Sequence, residues 1–113
     1  EFFILPIQDS RVKTQWITFP LTIRRDAPFS RIKLLTFLEE HNIQTRPIFT
    51  GNILHQPGFR SIGRKTAAGG FPVANGIMER GFVIGCHHGL TERHLDRIKE
   101  VFREFMKRYT SYG

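Results

Sequence analysis

The sequence predicts a small α+β domain: a three- or four-stranded, mainly antiparallel sheet with helices packed on one face. Three observations predict it. Short apolar runs bounded by Gly, Pro and Asn alternate with two segments of helical periodicity. The final segment, with Leu95, Ile98, Phe102, Phe105 and Tyr109 at three- and four-residue steps, lays one apolar seam along a helix. The chain has 113 residues and is 40% hydrophobic, enough for one core but not two.

The chain starts with Phe2-Phe3-Ile4-Leu5-Pro6, an apolar run without a cap or turn of its own. Such a run reads as a cut end whose partners lie in a larger parent. Gln15 to Ile23 follows as a strand, rich in β-branched and aromatic residues. Pro20 cannot donate to a ladder, which places that strand at an edge or interrupts it. After Arg24 to Pro28, the Ser30 hydroxyl is positioned to cap a helix running to about His41. Its expected core stripe is Leu34, Leu35 and Leu38 with Ile32, leaving Lys33, Glu39 and Glu40 to water.

Asn42 ends this helix and Ile43 to Phe49 reads as extended, since Pro47 turns Arg46 away from helical angles. Gly51 to Phe71 is long, glycine-rich and irregular, with one possible helical turn near Ile53 to Gln56. Without a partner to cover it, this loop is expected to be mobile. Ala74 to Arg80 predicts a short helix stopped by Gly81, and Phe82 to Cys86 a buried strand between glycines. Thr91 then caps the last helix, where Glu100 with Arg103 and Glu104 with Arg108 are spaced for outer-face pairs.

Composition excludes several classes. One Cys rules out an internal disulfide framework and any multi-cysteine cluster, and fits a reducing compartment; the cytoplasm is the expected location. No run approaches the length of a membrane span, so no membrane partner is expected. A net charge of +7 invites nucleic acid, but the basic residues are interleaved with acids and most Phe fit core positions. A stand-alone nucleic-acid module is therefore disfavoured against a basic surface for an anionic small substrate. Cys86, His87, His88 and His94 carry zinc-type ligand atoms, yet neighbours such as His87 and His88 point to opposite faces of an extended segment. No metal site and no nucleophile–base pair is expected.

Thr45 to Asn52 is the segment suited to binding. Arg46 offers a planar fork for carboxylate or phosphate, Phe49 an apolar plane, and Gly51-Asn52 a backbone that a ligand can approach closely. The same residues read equally well as a strand followed by a Gly-Asn turn with Arg46 lying along the surface.

Phe2-Phe3-Ile4-Leu5-Pro6, Phe19 to Ile23, Ala27 to Arg31 and Thr45 to Asn52, extended by Ile77 to Phe82, Ile84 to His87 and Gly89 to Glu92, resemble the C-terminal part of the sugar aminotransferase family of fold-type I pyridoxal-phosphate proteins. The Arg-Pro-x-Phe-x-Gly-Asn pattern is similar to the branch of nucleotide-sugar 3-dehydrases that make the dideoxysugars of lipopolysaccharide. The His-Tyr-x-x-Pro-Leu-His type of pattern of ordinary sugar aminotransferases is absent. His88 stands where the family usually has Pro, and Phe71 to Asn75 also departs from the pattern.

The resemblance implies that residues 1–113 are a single small domain of a larger, homodimeric enzyme, with the cofactor-binding large domain elsewhere in the same chain. It implies pyridoxal or pyridoxamine phosphate in the parent, none bound to this piece, and no catalytic residue here. Lys13, Lys33, Lys65, Lys99 and Lys107 sit in no matching motif. Arg46, Phe49, Asn52 and, more weakly, His87 are the residues it places toward a nucleotide-sugar substrate. A nucleotide-sugar aminotransferase of the same family is the alternative.

Overall fold

The computed structural model describes residues 1–110. Four strands form one antiparallel sheet: β1 (Phe3–Ile4), β2 (Thr18–Ile23), β3 (Thr45–Arg46) and β4 (Gly81–Gly85), in the order β1-β2-β4-β3. Three helices accompany it: α1 (Arg31–Glu40), α2 (Pro72–Arg80) and α3 (Glu92–Thr110), with two 3₁₀ turns at Ile53–His55 and Pro57–Phe59.

The register sorts side chains onto two faces. Pairing of Phe3 with Ile23, Leu21 with Phe82, and Phe19 and Thr45 with Ile84 puts these residues on one face, because alternate residues of a strand share a side. That face meets α1 and α3. Leu34, Phe37 and Leu38 of α1 and Val101 and Phe105 of α3 complete the buried core with Phe29 and Ile43. Phe29 lies edge-on to Phe105 at 5.1 Å between centroids, and Phe37 is 5.3 Å from Phe105. Edge-to-face rings of this kind add to simple area burial.

Several expectations change. Phe2 and Phe3 find partners within the chain: Phe2 packs on Phe29, and Phe3 on Phe82 and Phe102. Only Ile4 and Leu5 of the opening run remain exposed. Pro20 sits on an inner strand, paired opposite Val83 of β4. Its tolerance is local, because β1 pairs only with Thr22 and Ile23 and has ended before Pro20. Ile32 is 71% exposed while Phe37 is buried. At 100° per residue, Ile32 points about 160° away from Leu34, so Leu34, Phe37 and Leu38 form the true stripe.

Ser30 caps α1, accepting from Lys33 N, and Asn42 ends it at φ 61°, a left-handed angle that Asn tolerates. Glu39 is not merely solvated: its Oε1 accepts from both Thr45 N and Thr45 Oγ1, joining α1 to β3. Arg108 lies over the Phe37 ring at 4.5 Å rather than beside Glu104. α2 starts two residues earlier than the periodicity suggests, at Pro72, whose fixed φ suits a first helical position.

The radius of gyration is 16.5 Å, against about 13 Å for an ordinary compact domain near this length. The excess comes from two arms. Residues 5–17 and 57–73 are largely exposed, with Ile7, Val12, Ile17, Phe59, Ile62, Phe71 and Val73 in water. A monomer rarely leaves so many large apolar side chains uncovered together.

Candidate functional site

β3 ends at Arg46, and the chain then turns through Pro47-Ile48-Phe49-Thr50-Gly51-Asn52 before the first 3₁₀ turn. This loop is fastened to α2 at three points. Gly51 has φ 64°, and a Cβ there would fall on the Met78 side chain and come within 2.9 Å of the Met78 Cα. Only glycine permits that approach in that conformation. Asn52 is 7% exposed; its Nδ2 donates to Asn75 Oδ1 at 2.6 Å and its Oδ1 accepts from Leu54 N at 3.1 Å. His55 Nε2 meets the same Asn75 Oδ1 at 3.0 Å. Arg31, from α1, braces the far side by donating to the carbonyls of Met78 and Gly81 at 2.8 and 2.9 Å.

These anchors fix what lies between them. Phe49 has φ 46° and is 93% exposed. Such an angle costs a non-glycine residue about 1–3 kcal/mol and persists only where the surroundings impose it. The loop closes on itself through Phe49 N to Pro47 O at 2.9 Å and Gly51 N to Ile48 O at 3.1 Å. An aromatic ring is thus held outward by a strained, internally bonded turn. Arg46, also exposed, has its Nη1 only 3.4 Å from its neighbour's carbonyl, Thr45 O, which leaves the rest of its fork open.

Each predicted residue now has a place. Arg46 and Phe49 stand exposed at one rim of the sheet. Asn52 belongs to the same loop, but its amide is spent on holding the loop to α2. His87 stands apart, in the turn after β4; its Nδ1 accepts from Gly89 N at 3.1 Å, and it lines a separate cleft with His94 and Arg97. Sequence reasoning missed Asn75 and Met78, the partners that give Asn52 and Gly51 their roles. Among the described residues no group of His, Cys, Asp and Glu is arranged to hold a metal ion. No helix there is long and apolar enough to cross a membrane.

The Glu39 carboxyl is held below its ordinary value, first by the Thr45 hydroxyl, then by the Thr45 backbone N–H, with the Arg46 charge adding in the same direction. The strand that carries Arg46 is therefore tied to α1 by an ionised group.

Four antiparallel strands, three helices, two exposed arms and a braced loop at the sheet's rim define a small α+β domain. The chain belongs to the DegT/DnrJ/EryC1/StrS aminotransferase family, whose sequence profile matches residues 1–103. It is 35% identical over 105 residues to the lipopolysaccharide biosynthesis protein RfbH of Salmonella typhimurium, covering 93% of this chain and 24% of that protein. It is 34% identical over 103 residues to a dTDP-4-dehydro-2,6-dideoxy-D-glucose 3-dehydratase of Saccharopolyspora spinosa, covering 91% of this chain and 22% of that one. Among solved structures it resembles an E. coli GDP-4-keto-6-deoxy-D-mannose-3-dehydratase with bound hydrated PLP, at a TM-score of 0.73 and 26% identity, covering 86% of this chain and 25% of that chain. The chain thus spans about a quarter of the length of the relatives it matches.

Proposed function

We propose that the enzyme to which this chain belongs removes the 3-hydroxyl of a nucleotide-linked 4-keto-6-deoxyhexose during lipopolysaccharide dideoxysugar synthesis, and that this chain forms one wall of its substrate cleft. The observation that carries the reading is Phe49, held outward at a strained backbone angle by a loop pinned at Gly51 and Asn52. Two of the relatives it matches are named as 3-dehydratases of such sugars, which supports the substrate class.

In this reading Phe49 offers its ring to the flat or apolar part of the ligand. Arg46 offers paired N–H donors to an anionic group such as a diphosphate. Asn52 and Gly51 touch no ligand; they hold the turn so that Phe49 loses little freedom on binding. The exposed arms, residues 5–17 and 57–73, would lie against a large cofactor-binding domain of the same chain, in a homodimeric enzyme of the cytoplasm.

These residues do not by themselves fit the cofactor. Lys13, Lys33, Lys65, Lys99 and Lys107 are all exposed, and the space beside Gly51 is filled by Met78 rather than open to a phosphate. Pyridoxal or pyridoxamine phosphate, which serves as an electron sink in chemistry of this kind, would be held by the rest of the enzyme.

The family also carries transamination, and the same wall would serve an aminotransferase of nucleotide sugars. One assay decides between them. The full-length protein, supplied with pyridoxamine phosphate, a nucleotide-linked 4-keto-6-deoxyhexose and an amino donor, yields a 3-deoxy product if the dehydrase reading holds. A 4-amino sugar with the 3-hydroxyl intact would establish the aminotransferase instead.

A further inference from the structure

A second cleft lies on the other side of β3, between the end of α1, the end of β4 and the first turns of α3, with a volume of about 480 Å³. That is within the size range of small-molecule sites. Its apolar wall is Ile43, Ile84, Leu90 and Ile98, and its polar wall includes His87, His94 and Arg97.

The two imidazoles share one property. Gly89 N donates to His87 Nδ1 at 3.1 Å, and Thr91 N donates to His94 Nδ1 at 3.0 Å. A ring nitrogen that accepts from a backbone N–H carries no proton, so in each neutral ring the proton sits on Nε2. Both rings therefore present an Nε2–H donor. Arg97 adds a guanidinium, which can only donate, and among the described residues it has no hydrogen-bond or ion-pair partner. No carboxylate lines the cleft. Asp96 pairs with Lys99 at 3.1 Å, and Glu104 stands 3.9 Å from His41 at the α1 end of the cleft, away in sequence from the wall that carries His87, His94 and Arg97. His41 differs from the other two histidines, since its Nδ1 lies 2.7 Å from Phe37 O and so carries the proton itself.

A cleft with donors on one wall, aliphatic side chains on the other and no acid matches a ligand with the reverse arrangement. We propose that it binds a small organic anion, a carboxylate or phosphate attached to an apolar body, through His87, His94 and Arg97. The site shares no residue with the Arg46–Asn52 loop, so it stands or falls independently of the function proposed above.

The test uses the full-length protein with ¹⁵N-labelled histidine, its signals assigned by single His→Gln replacements, and reads the imidazole nitrogens by long-range ¹H–¹⁵N correlation. Without ligand, His87 and His94 should both show the Nε2–H tautomer; the Nδ1–H tautomer at either would overturn the assignment. Phenyl phosphate is then titrated, with inorganic phosphate as the probe lacking an apolar body. Saturable shifts at His87 and His94 but not at His55 are expected, about tenfold tighter for phenyl phosphate than for phosphate, with Arg97→Gln weakening binding by about tenfold or more. Shifts that do not saturate by about 10 mM, that are shared by His55, or that survive unchanged in a folded Arg97→Gln chain would overturn the proposal. The tautomer measurement does not depend on Arg97→Gln and stands even if that replacement unfolds the protein.

Discussion

Met78 of α2 rests directly on Gly51, with so little room between them that a methyl group at position 51 would overlap the Met78 side chain. A residue of the loop and a residue of the helix 27 positions later are therefore fitted to one another through the absence of a side chain.

Gly51→Ala should destabilise the chain by about 2 kcal/mol, combining strain at φ 64° with overpacking against Met78. Urea unfolding followed by circular dichroism measures it. Met78→Ala in the same background should recover little of the loss, because alanine keeps the Cβ and Cα that the new methyl group would meet, and the strain remains.

The Asn52–Asn75 bond should act as a unit. Removing Asn75 leaves the buried Asn52 amide without its acceptor, at about 1 kcal/mol, whereas removing Asn52 leaves Asn75 Oδ1 exposed and still beside His55; the double replacement should cost clearly less than the sum. A double-mutant cycle on Asn52→Ala and Asn75→Ala checks this, and strict additivity would mean that the bond does not hold the loop.

Two positions of α1 should separate sharply. Leu38 is fully buried, so Leu38→Ala should cost about 3 kcal/mol. Ile32→Ala, on the solvent side of the same helix, should change stability by no more than about 0.5 kcal/mol. Unfolding midpoints of the two variants give the comparison.

Glu39 sets a pH dependence. Its carboxyl in the folded chain is held below the ordinary value of 4.5, with the Thr45 hydroxyl as the leading cause. The unfolded chain then binds the proton more readily, so the stabilisation is complete above the ordinary value and is lost as pH falls through the depressed one. Stability measured across the acid range should fall less steeply in Glu39→Gln, and Thr45→Val should flatten it in the same way.

The elements most legible in the sequence are those with sustained periodicity. α3 follows from its apolar seam, and α1 from the Ser30 cap and the Leu34 to Leu38 spacing. In α1 Phe37, not Ile32, joins the buried stripe, because two residues of helix carry Ile32 to the side opposite Leu34. β1 escaped notice as a strand, since two residues carry no alternation. The partners of Phe2 and Phe3 lie across the sheet and in helices far along the chain. Pro20 misled because a proline reports a missing donor, not the position of a strand, and β1 is short enough to leave that donor unneeded. At the rim loop, Arg46, Phe49 and Gly51-Asn52 stood out by type. Their division into presenting and anchoring residues depends on Asn75 and Met78, more than twenty residues away, and no local pattern joins them.

In the proposed enzyme the braced rim loop presents Phe49 to a nucleotide-sugar substrate bound between this domain and the rest of the protein. Steady-state kinetics of the full-length protein with Phe49→Ala tests it most directly. The account predicts a KM for the nucleotide-linked keto sugar raised by about tenfold, corresponding to the loss of one aromatic contact, with kcat changed little because the reacting groups lie elsewhere. A variant with unaltered KM would contradict it.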